Sequence, residues 1–220
     1  MKKRGKEAMA TIDLKKAKTH GSSIRDSRSS VSSTTSGVRI RTRLKSQTSL
    51  IIGGGRSGKS SYAQDYALNV SEGTSSRAYI ATAEPIDREM KERIAIHQKD
   101  RGDRFITMEE PLHLAQAIHE LPPSVEVCVI DCLTVWLGNL LYHKRDTSQE
   151  IQSLITVLKN PPCDILLVTN ETGLGIIPSD PESRAFRDIA GWMNQDIAAI
   201  SKNVILLVAG IPLALKGTVL

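Results

Sequence analysis

The chain has 220 residues, 24% of them charged and 4% aromatic, with a formal net charge of +5. That charge belongs to one end: residues 1–49 hold 13 Lys and Arg against 3 Asp and Glu, while the remaining residues hold 16 against 21. The body is therefore acidic, which removes most of the case for a nucleic-acid-binding domain, and no apolar run approaches the roughly 20 residues of a membrane span.

Residues 1–46 read as a disordered extension, rich in Ser, Thr, Lys and Arg, with Ser29–Ser36 close to low complexity. A solvated extension, a transit peptide and a nucleic-acid tether all have this composition. The start of the chain lacks the apolar core of a secretory signal, so the expectation is a soluble cytoplasmic protein. Residues 47–220 form the one folded domain, long enough to bury a proper core.

Within that domain, strand-like and helix-like segments alternate. Thr48–Gly53 reads as a strand, followed by a helix from Gly58 to about Val70. Between them lies Gly53-Gly54-Gly55-Arg56-Ser57-Gly58-Lys59-Ser60, the Gly-x-x-x-x-Gly-Lys-Ser pattern. A strand, a glycine loop and a helix start in that order make a phosphate cradle. The glycines let backbone N–H groups turn inward, and the helix N-terminus adds positive potential. Lys59 would then reach the β- and γ-phosphates, and the Ser60 hydroxyl would ligate Mg²⁺.

Ala78–Thr82 predicts a short strand, and Asp87–Asp100 a helix charged on one side. Phe105–Met108 predicts an edge strand, and Pro111–Glu120 a helix opened by proline in its first turn. Val125–Asp131 is a continuous run of strand formers suited to burial on both faces. Helices at Thr134–Tyr142 and Gln149–Leu158, a strand at Ile165–Thr169, a long helix at Glu182–Ser201 and a last strand at Val204–Ala209 complete the order. Repeating βα units imply a P-loop NTPase-like α/β fold: a doubly wound, mainly parallel sheet with its ligands at the carboxyl ends of the strands.

Several polar residues fall at those ends. Asp131 closes an apolar strand downstream of the glycine loop, as a Mg²⁺-positioning aspartate does, although a turn or cap residue occupies the same place. Thr169-Asn170-Glu171 brings a second carboxylate to that edge, readable as cap or as function. His97 lies near the end of the charged helix, with Arg93 one turn before it and Lys99, Arg101 and Arg104 after it. It is a surface residue or, as a neutral imidazole among guanidinium groups, a nucleophile toward phosphorus. Arg187-Asp188 reads either as a surface pair or as a contact to substrate or subunit. Cys128, Cys132 and Cys163 complete no zinc set and read as buried free thiols.

These motifs, in order, resemble the bifunctional adenosylcobinamide kinase / adenosylcobinamide-phosphate guanylyltransferases of cobalamin biosynthesis. The likeness spans about Leu50 to Gly217. It includes the glycine loop, Tyr79-Ile80-Ala81-Thr82-Ala83, Arg93-Ile94-x-x-His97-x-x-x-Arg101, and Asp131-Cys132-Leu133-Thr134-x-Trp136. Val168-Thr169-Asn170-Glu171-x-Gly173, Arg184-x-Phe186-Arg187-Asp188 and Ala209-Gly210-Ile211-Pro212 follow. The resemblance implies phosphorylation of the aminopropanol hydroxyl of adenosylcobinamide by ATP or GTP. It also implies transfer of GMP from GTP to adenosylcobinamide phosphate through a guanylylated histidine at His97. It carries nucleotide contacts onto Gly53, Gly54, Gly55, Arg56, Ser57, Gly58, Lys59 and Ser60, and onto Ala81, Thr82 and Ala83. Gln98, Lys99, Asp100, Arg101, Glu109 and Asp131 complete that set. It further implies a homotrimer with the corrinoid between subunits. Residues 1–46 have no counterpart in the family pattern, and Arg101–Phe105 departs from its usual Arg-Pro and Trp. A one-activity enzyme of the same pathway and a nucleotide-binding regulatory module tethered by the basic tail are the alternatives.

Overall fold

The structure, a computed structural model, describes residues 45–220, so the disordered reading of the extension lies outside the described residues. Seven strands form one sheet: β1 (Thr48–Gly53), β2 (Arg77–Ala81), β3 (Ile106–Glu109), β4 (Val127–Asp131), β5 (Asp164–Asn170), β6 (Asn203–Val208) and β7 (Ile211–Lys216). Their spatial order is β3-β2-β4-β5-β1-β6-β7, with the first six parallel and β7 antiparallel to β6. Helices α1 (Lys59–Val70), α2 (Arg88–Arg101), α3 (Leu114–His119), α4 (Leu133–Tyr142), α5 (Thr147–Leu158) and α6 (Pro181–Ile200) fill the crossovers.

The strands bury both faces. Along β4, Val127 and Val129 belong to one apolar cluster with Ala63 and Ala67 of α1. Cys128 and Ile130 belong to a second with Trp136, Leu140, Leu154 and Ile197 of α4, α5 and α6. Side chains alternate with the strand period, so a continuous apolar run is what a sheet covered on both sides demands. Trp136 is fully buried and its indole N–H donates to the Leu112 carbonyl at 2.8 Å.

Two expectations are corrected. The helix expected over Pro111–Glu120 begins at Leu114, because the Glu110 carboxylate accepts from Leu112 N (2.9 Å) and His113 N (2.7 Å) and holds that stretch as a turn. Val204–Ala209 is not the last strand. Ala209 and Gly210, both at positive φ, turn the chain back into β7.

Register sets the height of every group at the carboxyl edge. Ala81 pairs with Glu109 on one side and Asp131 on the other, Asp131 pairs with Val168, and Asn170 pairs with Gly53. Strands stand about 4.8 Å apart, so Glu109 and Asp131 lie two strands, roughly 10 Å, from each other. The glycine loop lies two strands beyond Asp131, with β5 between.

Candidate active site

The loop between β1 and α1 is shaped by what its backbone must do. A Cβ on Gly53 would sit 2.4 Å from the Leu207 carbonyl oxygen of the neighbouring strand, so only glycine fits there. Gly58 takes φ of 94°, a left-handed conformation suited to glycine, and immediately precedes α1. Asp87, Asp146 and Asp180 close the first turns of α2, α5 and α6 by accepting from backbone N–H groups at 2.7, 3.0 and 2.7 Å. No side chain does so for α1. Its first turn borders the cleft above the loop, where an anion would satisfy these N–H groups.

Two cavities adjoin at this edge. One, of about 750 Å³, is lined by the loop and first turn of α1 from Gly55 to Ser61, by Ile96 and His97 of α2, and by Asp131 and Asn170. The other, of about 150 Å³, runs under α2 between Ala81, Thr82 and Ala83 on one side and Met90, Ile94, His97 and Arg101 on the other. Glu109 closes one end and Ser60 and Asp131 the other. Ser60, His97, Asp131, Cys132 and Val135 border both. His97 thus stands where the larger cleft, bordered by the glycine loop, meets the smaller, mostly apolar slot.

Lys59 is buried, and its ammonium donates to the Gly54 carbonyl at 2.6 Å. Burial pulls its pKa below the ordinary lysine value, with Cys132 and Asp131 opposing that pull. The same burial, reinforced by the Asp131 carboxylate, pushes the Cys132 thiol up to about 12. Cys132 is therefore a neutral thiol rather than a competing nucleophile. One Asp131 oxygen accepts from the Tyr79 hydroxyl at 2.7 Å. The Thr82 hydroxyl donates to the Cys132 carbonyl (2.9 Å) and accepts from its N–H (2.8 Å), locking the turn after β2 to the end of β4.

Beneath the edge lies a buried polar chain. The Thr169 hydroxyl donates to Asn194 Oδ1 at 3.0 Å, so in its 3.2 Å contact with Thr134 it is the acceptor. Thr134 Oγ1 in turn accepts from Asn170 N at 2.7 Å, fixing the last residue of β5 beside the cleft. Thr169→Val should leave both neighbours short of a partner and cost about 1–3 kcal/mol by urea unfolding, whereas Thr169→Ser should stay near native.

Of the residues expected to contact nucleotide, Gly55 to Ser60 line the larger cavity, and Ala81, Thr82, Ala83, Arg101, Glu109 and Asp131 line the smaller. Gly53 and Gly54 support the loop from below. Gln98, Lys99 and Asp100 line neither cavity. Gln98 donates to Glu109 at 2.6 Å, the Asp100 carbonyl accepts from Arg104, and Lys99 is exposed. The carboxylate of Glu171 is a turn former, accepting from Gly173 N and Leu174 N at 2.8 Å each. Arg187 and Asp188 pair with each other at 3.1 Å. Cys128 and Cys163 are buried free thiols, and Cys132 is free and part-buried. Met90, Ile94 and Tyr79 lacked a role in the sequence reading. Met90, Ile94, His97 and Arg101 are spaced four, three and four apart, one stripe of a helix, and that spacing was the available signal.

Ser60 and Asp131 offer hard oxygen donors to one cleft, and among the described residues no group of three or more His, Cys, Asp or Glu gathers to hold a metal. This donor set fits Mg²⁺, which takes one or two protein oxygens and fills its shell with phosphates and water.

A family model for cobinamide kinase / cobinamide phosphate guanyltransferase matches residues 49–215. The bifunctional adenosylcobalamin biosynthesis protein CobP of Pseudomonas aeruginosa is 42% identical over 170 residues, covering 76% of this chain and 96% of that protein. The bifunctional adenosylcobalamin biosynthesis protein CobU of Escherichia coli is 38% identical over 184 residues, covering 76% and 98%. Its Salmonella typhimurium namesake is 36% identical over 183 residues, with the same coverage.

Proposed function

The chain belongs to the cobinamide kinase / cobinamide phosphate guanyltransferase family, and from that premise we propose that its carboxyl-edge site carries both reactions of adenosylcobalamin biosynthesis. In the first, the aminopropanol hydroxyl of adenosylcobinamide attacks the γ-phosphorus of ATP or GTP. A new P–O bond forms, and the bond to the β-phosphate oxygen breaks. In the second, a ring nitrogen of His97 attacks the α-phosphorus of GTP and pyrophosphate leaves. A phosphate oxygen of adenosylcobinamide phosphate then attacks the same phosphorus, the P–N bond breaks, and adenosyl-GDP-cobinamide is released. Splitting one transfer into two displacements is the ordinary advantage of covalent catalysis.

The observation that carries this reading is the position of His97 on the border of both cavities. A triphosphate held by Arg56, Ser57, Gly58 and Lys59 would present its α-phosphorus toward the smaller slot and its γ-phosphorus toward the open cleft. Gly53, Gly54 and Gly55 shape that cradle. Ala81, Thr82, Ala83, Arg101 and Glu109 would then contact the guanosine. Gln98, Lys99 and Asp100 would act from the rim, Gln98 through its bond to Glu109. Mg²⁺, held by Ser60 and Asp131, would neutralise phosphate charge. Lys59 is already buried against the loop, so its donors need little reorganisation to reach phosphate oxygens.

The protein would act as a homotrimer with the corrinoid between subunits. Leu174, Ile176 and Ile177, close together after β5, and Trp192 on α6 are more than half exposed, apolar side chains that a subunit contact would cover. No helix among the described residues is long and apolar enough to cross a membrane, in keeping with a cytoplasmic enzyme.

The test is to supply adenosylcobinamide and Mg²⁺ with either ATP or GTP and follow the corrinoid by mass. ATP should take it to the phosphate and stop, while GTP should carry it on to the GDP-linked product. A corrinoid unchanged by both nucleotides would sink the proposal. Conversion stopping at the phosphate with GTP would leave the one-activity alternative.

A further inference from the structure

Between the nucleoside slot and the metal-side carboxylate sits a tyrosine that neither reaction requires as a reactant. Tyr79 is 1% exposed, in the middle of β2. Three independent contacts fix it. Its hydroxyl donates to Asp131 Oδ2 at 2.7 Å. The Arg101 guanidinium lies over its ring, 4.3 Å from the centroid. Phe105 meets the ring edge-on, with centroids 5.8 Å apart.

The consequence is geometric. A carboxylate at the end of a strand turns freely about its last bond unless one oxygen is held. Here Oδ2 is held from the β2 side, and among the described residues no hydrogen bond engages the other oxygen. Asp131 borders both cavities, as does Ser60. Arg101, at the other face of the ring, is 3% exposed and its Nε has no hydrogen-bond partner among the described residues. It ends α2, one turn beyond His97. Tyr79 is therefore bonded at its tip to β4 and stacked on its face by the helix that carries His97.

Resting on the functional reading above, we propose that Tyr79 is a positioning residue: its buried hydroxyl turns the Asp131 carboxylate toward Ser60 for the divalent cation, while its ring anchors the end of α2 through Arg101. Outer partners of this kind orient a ligand without touching the metal, and their loss typically lowers metal affinity about 10-fold or more.

The experiment uses the full chain and guanosine 5′-(α,β-methylene)triphosphate, whose α,β bridge cannot be cleaved, with no corrinoid present to accept its γ-phosphoryl group, so binding is read without group transfer. Its affinity is measured with and without Mg²⁺ for the wild type, Tyr79→Phe, Asp131→Asn and the double variant. Tyr79→Phe keeps the ring, and hence the Arg101 and Phe105 contacts, and removes the donor alone. The metal-free affinity should match wild type, and the gain on adding Mg²⁺ should shrink about 10-fold. In the double variant the two losses should not add, because Tyr79 acts through Asp131. A purely structural role would lower metal-free and metal-bound affinity alike and would overturn the proposal. So would an undiminished Mg²⁺ gain in Tyr79→Phe, or additive losses. A wild type that shows no Mg²⁺ gain at all would instead overturn the functional reading, and this proposal with it.

Discussion

Replacing His97 by asparagine is expected to stop the pathway at adenosylcobinamide phosphate. The variant should retain measurable phosphorylation, since the proposed γ-phosphoryl transfer draws on the glycine loop and Lys59 and not on the imidazole. GDP-linked product should fall by at least about 10⁴-fold, the scale on which loss of a covalent nucleophile is felt. Asparagine preserves the polarity of this exposed site on α2, so the fold should be unaffected. Analysis of corrinoid products by liquid chromatography and mass spectrometry separates the outcomes. Equal loss of both products would mean that His97 serves nucleotide binding in general.

Lys59→Met carries the second large effect, without that selectivity. Both reactions draw charge toward phosphate oxygens that Lys59 is placed to meet, so both should fall by about 10²–10³-fold. The variant also has a stability signature. The folded-state pKa of Lys59 is lowered by burial, so the unfolded chain binds this proton more tightly than the folded one. Between the lowered value and the ordinary 10.5, the unfolded state holds more protons, and the Lys59 contribution makes stability rise with pH. Below the lowered value the proton is bound in both states, the penalty is constant, and the slope vanishes. Urea unfolding at several pH values up to 10.5 should show that upward slope reduced in Lys59→Met. An unchanged slope would mean that the lysine is better solvated than its position at the base of the loop indicates.

Much of the architecture was legible in the residues because local and global signals agreed. The β-branched run expected over Val125–Asp131 contains β4, Val127–Asp131, and the alternation of Val127 and Val129 with Cys128 and Ile130 between two core clusters shows why it is apolar throughout. The long helix expected over Glu182–Ser201 is α6, which starts one residue earlier at Pro181, with the Asp180 carboxylate closing its first turn. The errors fell where one local signal outweighed a tertiary one. Pro111 suits a first helical turn, yet Glu110 spends its carboxylate on the next two N–H groups and delays the helix to Leu114. β7 was missed because Ile211, Leu213 and Leu215 alternate on a strand with little cover, and Pro212 argues against a strand unless it lies at an edge, as this one does.

The site was legible in a different way. The glycine loop and Asp131 declare themselves by spacing, whereas His97 depended on its resemblance to a family motif, because one histidine on a charged helix carries no periodic signal. Its partners on that face, Met90, Ile94 and Arg101, were present at helical spacing, but only the β2–β3 side of the sheet gives that stripe something to face. Tyr79 was hidden for a related reason. Within β2 it reads as one more aromatic core residue, and nothing local reveals that its hydroxyl meets a carboxylate 52 positions later. Parallel register brings them together, by placing Ala81 opposite Asp131.

The most direct measurement of the central claim is the intact mass of the purified protein after incubation with GTP and Mg²⁺. The account predicts a gain of one GMP on the wild type, no gain on His97→Asn, and loss of the adduct to the corrinoid when adenosylcobinamide phosphate is added. GTP that binds without any covalent gain in mass would contradict the histidine-linked mechanism.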